Sequence, residues 1–129
     1  MSEPAVIPVD SVAPVLLVDD IHRSVQWYTE KAGFSVDKIW GDPPSFAMAR
    51  RGGVIIMLKE SDAGPRANAA ALPNMWDAYI RVKSMEETMK ALIANGVEDI
   101  CGPEKTPYDC EEITVRDPDG HILCFGHCW

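Results

Sequence analysis

Two histidines and two cysteines follow closely on one another at the end of the chain. They are His121, Cys124, His127 and Cys128. Imidazole and thiolate groups are the usual ligands of zinc, so a metal site is the first chemistry to consider. Successive side chains of a β-strand point to opposite faces, which would place the two cysteines on one face and the two histidines on the other. The spacing therefore predicts no metal site in this segment.

Two carboxylates in strand-like segments, Asp77 and Glu112, are candidates for acid–base catalysis or for binding a cation. A pair of carboxylates can divide proton transfer between a general acid and a general base. The same two groups could equally form ion pairs with Arg81 or lie at a solvated rim. The Cys124 thiol has no histidine placed by spacing to activate it, so a buried and unreactive cysteine is expected there.

The elements that position these groups occur twice, as a strand followed by a helix and three more strands. Asp20 and Ser84 are both typical helix N-caps, and Glu87 completes a capping box with Ser84. Gly33 and Gly96 are suited to end the two helices. Matching residues are about 64 positions apart, which indicates an internal repeat. Helices are predicted over residues 20–32 and 85–95, a loop over 102–108, and strands over 13–18, 34–40, 45–50, 54–59, 76–82, 97–101 and both sides of a hairpin centred on 117–120.

One such unit is too small to bury its apolar face alone, so the two units are expected to form one α+β domain. The predicted architecture is a curved mixed sheet shaped like a cup, with the helices on its outer face. Residues 1–12 form an extended arm and 13–59 the first βαβββ module. Residues 60–75 form a linker, and 76–129 the second module.

The composition is that of an ordinary soluble protein, with 47% hydrophobic and 25% charged residues among 129. The net charge of −8 argues against nucleic acid, whose phosphates require clustered lysine and arginine, and is compatible with a cationic ligand. No apolar run is long enough for a membrane span. The first residues lack the segments typical of a secretory signal, and the four cysteines include no CxxC pair. These features predict a cytoplasmic protein with reduced thiols.

Two segments of the chain are similar to a known family. The first is Asp20-Ile21-His22-Arg23-Ser24-Val25-Gln26-Trp27-Tyr28, followed by Ala32-Gly33-Phe34. The second is Arg116-Asp117-Pro118-Asp119-Gly120, followed by Ile122-Leu123. They resemble the first helix and the closing hairpin of the vicinal oxygen chelate superfamily, which includes glyoxalase I, the bleomycin-resistance proteins and the extradiol dioxygenases. The resemblance spans residues 13–125 and is closest to the metal-free bleomycin-resistance branch. It implies the cup fold but no single function, because this fold carries many chemistries.

The resemblance also implies where a metal would bind. Metal enzymes of the superfamily use four inward-facing ligands, usually His, Gln or Glu, two from each half. The matching positions here are Ala13, Met57, Asp77 and Cys124. Alanine offers no donor atom and methionine only a soft thioether, so this ligand set implies neither a metal nor another cofactor.

Alternation along the strands separates residues that face the helices from residues that line the cup. The helix-facing set is Leu16, Val18, Ile56, Leu58, Ile80, Val82, Ile113, Val115, Leu123 and Phe125, with Trp76 also expected beneath the helices. The cup-lining set is Phe46, Met48, Met57, Asp77, Tyr79, Arg81, Glu112, Thr114 and Cys124, with Trp40 and Tyr108 as stacking walls at the rim. Aromatic, thioether and charged groups together are typical of a small-molecule pocket. Plain packing or mutual ion pairing is also open to these residues.

Two functional hypotheses follow. The first is a metal-free binding protein that sequesters a small aromatic molecule, cationic or neutral, in a groove formed between two copies of the chain. The second is a lyase, isomerase or dioxygenase with a displaced metal, or with Asp77 and Glu112 as a metal-free acid–base pair. A small regulatory or structural dimer is a third option. The missing ligand set favours the binding protein over the enzyme.

Overall fold

The computed structural model describes residues 3–129. The first half contains strands β1 to β4 and helix α1. Strand β1 is parallel to β4, the other pairs are antiparallel, and the sheet order is β1-β4-β3-β2. The elements are β1 (Val15–Val18), α1 (Ile21–Glu30), β2 (Ile39–Trp40), β3 (Phe46–Arg51) and β4 (Val54–Glu60).

The second half repeats this topology after a linker that contains a short 3₁₀ helix, Asn68–Ala70. Its sheet order is β5-β8-β7-β6, again with the first and last strands parallel. The elements are β5 (Ala78–Arg81), α2 (Met85–Ala94), β6 (Ile100–Lys105), β7 (Cys110–Arg116) and β8 (Ile122–Cys128). The predicted repeat and the α+β class are confirmed. Neither α-helix within residues 3–129 has both the length and the hydropathy needed to cross a bilayer.

The two helices begin at the predicted caps and end within two residues of the predicted positions. The Asp20 carboxylate accepts hydrogen bonds from the N–H groups of His22 and Arg23, and the Ser84 hydroxyl accepts one from Glu87. These bonds satisfy backbone donors that have no partner inside a helix. Gly33 and Gly96 follow the helices at φ of +77° and +80°, a conformation that favours glycine.

Two predicted strands differ from the observed ones by more than two residues. The strand expected over residues 34–40 is reduced to β2, with one isolated bridge between Ser35 and Arg50. Strand β6, by contrast, continues to Lys105 through the predicted loop. The ladder with β7 shifts its register between Cys101 and Glu104, so Gly102 and Pro103 are accommodated in a bulge.

The hydrophobic core lies between the helices and the helix-facing sides of both sheets. The residues predicted to face the helices are buried there, except that Val82 is only half-buried at the edge of the core. Tyr28 is the largest fully buried side chain, and its ring meets those of Trp27 and Phe34 edge-on. Burial of one such aromatic side chain contributes about 1.5–3 kcal/mol.

The two halves are joined by helix α1 and the turn between β7 and β8. The Tyr28 hydroxyl donates a hydrogen bond of 2.8 Å to the buried Asp117 carboxylate. The Asp119 carboxylate accepts bonds from Arg23 Nη2 at 2.8 Å and from Ser24 Oγ at 3.2 Å. Within residues 3–129 no strand ladder joins the two sheets, which therefore remain separate. Each sheet consequently contributes its own half of a cup.

The prediction that all cysteines are reduced is wrong for two of them. Cys110 and Cys128 form a disulfide that links the start of β7 to the end of β8. These residues are directly opposite in the antiparallel ladder, with their Cα atoms 4.0 Å apart. Cys101 and Cys124 are free. Alternation along β8 alone does not reveal this pairing, because the partner of Cys128 lies on the neighbouring strand β7.

Candidate functional site

A cavity of about 370 Å³ lies against the second sheet. Strands β6 and β7 form most of its wall, and the end of the linker closes one side. The lining residues are Asn74, Trp76, Asp99, Cys101, Gly102, Glu104, Glu112, Thr114, Val115, Arg116 and Ile122. This volume lies within the usual range for a small-molecule pocket, so the cavity is the candidate binding site.

The charges around the cavity are mainly negative. Three carboxylates, from Asp99, Glu104 and Glu112, lie in the wall beside one guanidinium, that of Arg116. Arg116 lies 3.9 Å from Asp99, and both side chains are substantially exposed. Such a pair contributes little, but it offsets the one positive charge. The carboxylates of Glu104 and Glu112 therefore give the cavity a negative potential that favours a cation.

Glu112 is the best-oriented carboxylate of this wall. The Tyr108 hydroxyl donates a hydrogen bond of 2.7 Å to Glu112 Oε2. This bond is the main reason why the pKa of the Tyr108 phenol is raised above its ordinary value. A charge-assisted hydrogen bond of this kind fixes the position of the carboxylate before a ligand arrives.

A second tyrosine lies on the other side of Glu112. Tyr79 packs against Trp76, with the ring centroids 5.1 Å apart and the planes tilted by 55°. Its ring covers Gly126, where any Cβ atom would overlap the Tyr79 hydroxyl. Gly126 is the direct ladder partner of Glu112. Burial and the nearby Glu112 carboxylate raise the pKa of Tyr79, so its hydroxyl stays protonated and able to donate.

Cys124 lies beneath this cluster and is fully buried. Burial, and secondarily the Glu112 carboxylate, raise the pKa of its thiol to about 12. The thiol is therefore protonated at neutral pH and is not suited to nucleophilic attack. Its partners in the ladders are Tyr79 and Thr114, which also offer no typical ligand atom for a divalent ion.

Asp77 has a structural role outside the cavity wall. Its buried carboxylate accepts hydrogen bonds from the N–H groups of Asn68 at 2.8 Å and Ile122 at 3.0 Å, which fastens the linker to β8. Ile122 and the residue opposite Glu112 are four positions apart on β8, a separation of roughly 13 Å. Asp77 and Glu112 therefore do not form the acid–base pair that the sequence suggested.

The metal positions implied by the sequence resemblance do not fit a metal ion. Ala13 precedes β1, and the strand residue opposite Met57 is Val15. The Asp77 carboxylate accepts hydrogen bonds from the backbone, and the ladder partners of Cys124 are Tyr79 and Thr114. Among residues 3–129, no three His, Cys, Asp or Glu side chains gather closely enough to hold an ion.

The first sheet presents a different surface on the corresponding face. Trp40 is opposite Phe46 in one ladder, and Met48 is opposite Met57 in another, so four predicted site residues share this face. Lys38 Nζ lies 3.9 Å from the centre of the Trp40 ring. A cavity of about 80 Å³ lies here, lined by Asp37, Lys38, Trp40, Met48 and Arg50.

The predicted site residues thus divide into two groups. Trp40, Phe46, Met48 and Met57 lie together on the first sheet, and Tyr79, Tyr108, Glu112 and Cys124 on the second. Arg81 lies beyond Tyr79 on β5 and is exposed. Asp77 lies outside both groups.

Some residues that line the cavity were not predicted from the sequence. Trp76 was expected in the core, but it lines the cavity and packs on Tyr79. It precedes β5, so the strand alternation that assigned it to the core does not extend to it. Glu104 was missed because the Gly102-Pro103 pair indicated a loop, and only the bulge keeps this segment in the sheet.

No curated protein matches this chain. Residues 9–125 match the model of the glyoxalase/bleomycin resistance protein/dioxygenase superfamily.

Solved structures share the fold at low identity. The bleomycin-binding protein from Streptomyces verticillus, complexed with copper(II)-bleomycin, is 22% identical with a TM-score of 0.71, over 93% of this chain and 97% of that one. TnmS3, an antibiotic binding protein from Streptomyces sp. CB03234, is 17% identical with a TM-score of 0.73, over 95% and 99%. A glyoxalase-related enzyme from Clostridium phytofermentans is 18% identical with a TM-score of 0.77, over 95% and 98%. With nearly all of its length matched, the chain belongs to the glyoxalase/bleomycin resistance protein/dioxygenase superfamily.

Proposed function

We propose that this protein binds and sequesters a small aromatic molecule that carries a positive charge. The observation that carries the proposal is the Glu112 carboxylate, which Tyr108 orients at 2.7 Å in a wall with further carboxylates. A fixed anionic group recognises a cation without losing conformational freedom on binding. Trp76 lies in the same wall and offers an aromatic surface for stacking or for a cation–π contact.

Binding without chemical conversion agrees with the groups that are present. The one buried thiol near Glu112 is protonated, and the Asp77 carboxylate is occupied by the backbone. The relative from Streptomyces verticillus is described with copper(II)-bleomycin bound, and TnmS3 is described as an antibiotic binding protein. Drug sequestration by this chain is proposed on the same pattern.

Two copies of the chain complete the groove in this proposal. The second sheet provides the acidic wall, and the first sheet of the partner provides the face with Trp40 and Met48. The arm that precedes β1 supports pairing, because Val6, Ile7, Val9 and Val12 are each at least 77% exposed. So many exposed apolar side chains in one segment are typical of an interaction surface. A cytoplasmic location is part of the proposal, and the disulfide would form there only under oxidising conditions.

The test uses two dyes of opposite charge and similar size. Ethidium is an aromatic cation, and 8-anilinonaphthalene-1-sulfonate is an aromatic anion. Isothermal titration should show ethidium binding and the anion binding at least tenfold more weakly. Glu112→Gln should weaken ethidium binding roughly 10- to 100-fold, because a contact to a charged group contributes about 1.5–3 kcal/mol. Bleomycin serves as a third probe because the Streptomyces verticillus relative binds it.

Glu111→Gln is the matched control. It removes the same charge from the neighbouring residue on the opposite face of β7, and ethidium affinity should change less than twofold. Equal affinity for both dyes, or equal loss in both variants, would refute the role of Glu112. Sedimentation velocity on the same samples gives the assembly state, and a monomer with full ethidium affinity would refute the shared groove.

A further inference from the structure

The disulfide between Cys110 and Cys128 lies beside the two tyrosines that flank Glu112. Cys110 is the first residue of β7 and Cys128 the last of β8, and the two are ladder partners. Both backbone groups of Cys110 bond to Thr106, through Thr106 Oγ1 at 3.1 Å and Thr106 N–H at 2.8 Å. The covalent bond is therefore the direct link between Cys110 and Cys128.

Cys110 lies between the two members of the Tyr108–Glu112 hydrogen bond. Tyr108 is two residues before it, in the turn that Thr106 closes, and Glu112 is two residues after it on the same face of β7. The backbone N–H of Trp129 donates to Asp109 O at 3.0 Å, next to the disulfide. The turn that carries Tyr108 is thus attached to the end of β8 by one hydrogen bond and one covalent bond.

Cys128 is connected to the second tyrosine. Its Sγ atom lies 3.6 Å from the Tyr79 hydroxyl. That hydroxyl lies over Gly126, the ladder partner of Glu112. The sulfur atom therefore packs against the Tyr79 hydroxyl and limits its movement.

We propose that the Cys110–Cys128 disulfide positions the Glu112 carboxylate through Tyr108 and Tyr79, so that reduction of the disulfide weakens the hold of the cavity on a cation. The inference rests on the proposed function, because the cation is the ligand assigned there to Glu112. Its structural part, the positioning of the two tyrosines, does not depend on any ligand.

The switching reaction is thiol–disulfide exchange with a dithiol reductant. A thiolate of the reductant attacks the sulfur of Cys128, the less buried residue of the two, and the Cys110 sulfur leaves as thiolate and takes up a proton. The second thiol of the reductant then displaces Cys128 from the mixed disulfide. Two electrons and two protons pass to the protein, and the reductant becomes its cyclic disulfide. Any oxidant that accepts two electrons from the two thiols reverses the step.

The experiment uses the three tyrosines as reporters in oxidised and dithiothreitol-reduced protein. Thiol counting should show two free thiols before reduction and four after it. Phenolate absorbance is then followed against pH, with Tyr108→Phe and Tyr79→Phe variants to assign the transitions. After reduction, Tyr108 and Tyr79 should ionise at lower pH, because Tyr108 loses its fixed hydrogen bond to Glu112 and Tyr79 is no longer held in its half-buried position against Cys128. Ethidium affinity should fall about tenfold, the loss expected from one well-placed charged contact.

Tyr28 is the internal control for folding. Its pKa is raised well above the ordinary value by burial and by Asp117, at the joint between the halves. It should remain high after reduction if only the site loosens. If the pKa of Tyr28 also falls, the disulfide supports global stability, and this result would overturn the positioning role. Unchanged ionisation of Tyr108 and Tyr79 would overturn it as well.

Variants separate this inference from the proposed function. Cys110→Ser/Cys128→Ser should behave like the reduced protein and ignore the reductant. Tyr108→Phe should reproduce the loss of ethidium affinity in oxidised protein. If the tyrosines respond as expected and ethidium binds neither state, the positioning stands and the proposed function fails.

Discussion

The two halves of the molecule share one backbone plan but present different faces to the cup. Their sheets have the same strand order, and their helices begin with the same kind of side-chain cap. The face of the first sheet carries Trp40 and Met48 beside the charged residues Asp37, Lys38 and Arg50. The face of the second carries Glu112 between two tyrosines, above a disulfide for which the first half has no counterpart.

This difference indicates that the repeat specifies the backbone and the core, whereas the residues that line the cup can differ between the halves. Core positions must match in volume in both halves, because both sheets pack against helices in one core. The opposite face has no such constraint, since nothing in its own half covers it. An acidic wall on the second sheet and a wall with Trp40 and Met48 on the first are therefore compatible with the same backbone.

The two hairpin turns differ as strongly as the two faces. The turn of the first half, Arg51-Gly52-Gly53, is exposed. The turn of the second half contains Asp117, which accepts hydrogen bonds from the Tyr28 hydroxyl and from the N–H groups of Asp119 and His121. The second turn is thus the joint between the halves as well as a connection within one of them.

The largest expected effect follows from breaking this joint. Asp117→Ala removes the acceptor for three donors, two of which belong to buried residues. The free energy of unfolding should fall by about 3–5 kcal/mol, the range for loss of a buried hydrogen-bond network. Urea denaturation monitored by circular dichroism measures it.

Arg51→Ala is the control for the turn of the first half. It changes an exposed residue at the corresponding hairpin, and the free energy of unfolding should change by less than about 0.5 kcal/mol. Similar losses in both variants would mean that the two turns carry equal energetic weight, contrary to the contacts seen around Asp117.

A smaller effect is expected from substitution of Gly126 in the second half, with Gly53 in the first half as the control. Gly126→Ala places a methyl group where the Tyr79 hydroxyl lies, so the ring must move or the strand must shift. Overpacking of this kind destabilises by about 1–3 kcal/mol. Gly53→Ala in the first hairpin meets no atom within 4 Å and should be nearly neutral.

Thermal unfolding compares the two glycine variants directly. The melting temperature should fall for Gly126→Ala and stay within about 2 °C of wild type for Gly53→Ala. The transition of Tyr79 in a phenolate titration should also move in the first variant only. An unchanged melting temperature in both would show that Tyr79 can leave Gly126 without loss.

Local and long-range features were predictable from the sequence to different degrees. The caps at Asp20 and Ser84 depend on a few neighbouring residues, so the helices were placed correctly. The core faces follow from strand alternation. The disulfide and the contact of Tyr28 with Asp117 depend on which strands and helices meet, and no local pattern specifies that.

The site was predicted in its parts rather than as a whole. Glu112 and Tyr79 were selected by alternation, which holds along regular strands, whereas Tyr108 was expected at the rim as a stacking wall. The bulge in β6 and the path of the linker decide that Glu104 and Trp76 reach the cavity and that Asp77 does not. Both depend on the packing of irregular segments, for which a single sequence carries little periodic signal.

The smallest effect concerns the pH dependence of the joint. Burial is the main cause that raises the pKa of Asp117 above 3.8, although Tyr28, His121 and backbone N–H groups act in the opposite direction. Between pH 3.8 and the raised value, the folded protein binds more protons at this site than the unfolded chain. The contribution of Asp117 to the free energy of unfolding must therefore decrease as the pH rises through this window.

Asp117→Asn isolates this contribution, because asparagine keeps the shape and cannot ionise. The difference in unfolding free energy, wild type minus variant, should be largest near pH 3.8 and decline to a plateau above the raised pKa. Asp10→Asn in the exposed arm controls for the loss of one charge. A difference that grows with pH would mean that the hydrogen bonds from Tyr28 and the backbone outweigh burial. The joint would then stabilise the ionised carboxylate, and acid rather than neutral pH would weaken the contact between the halves.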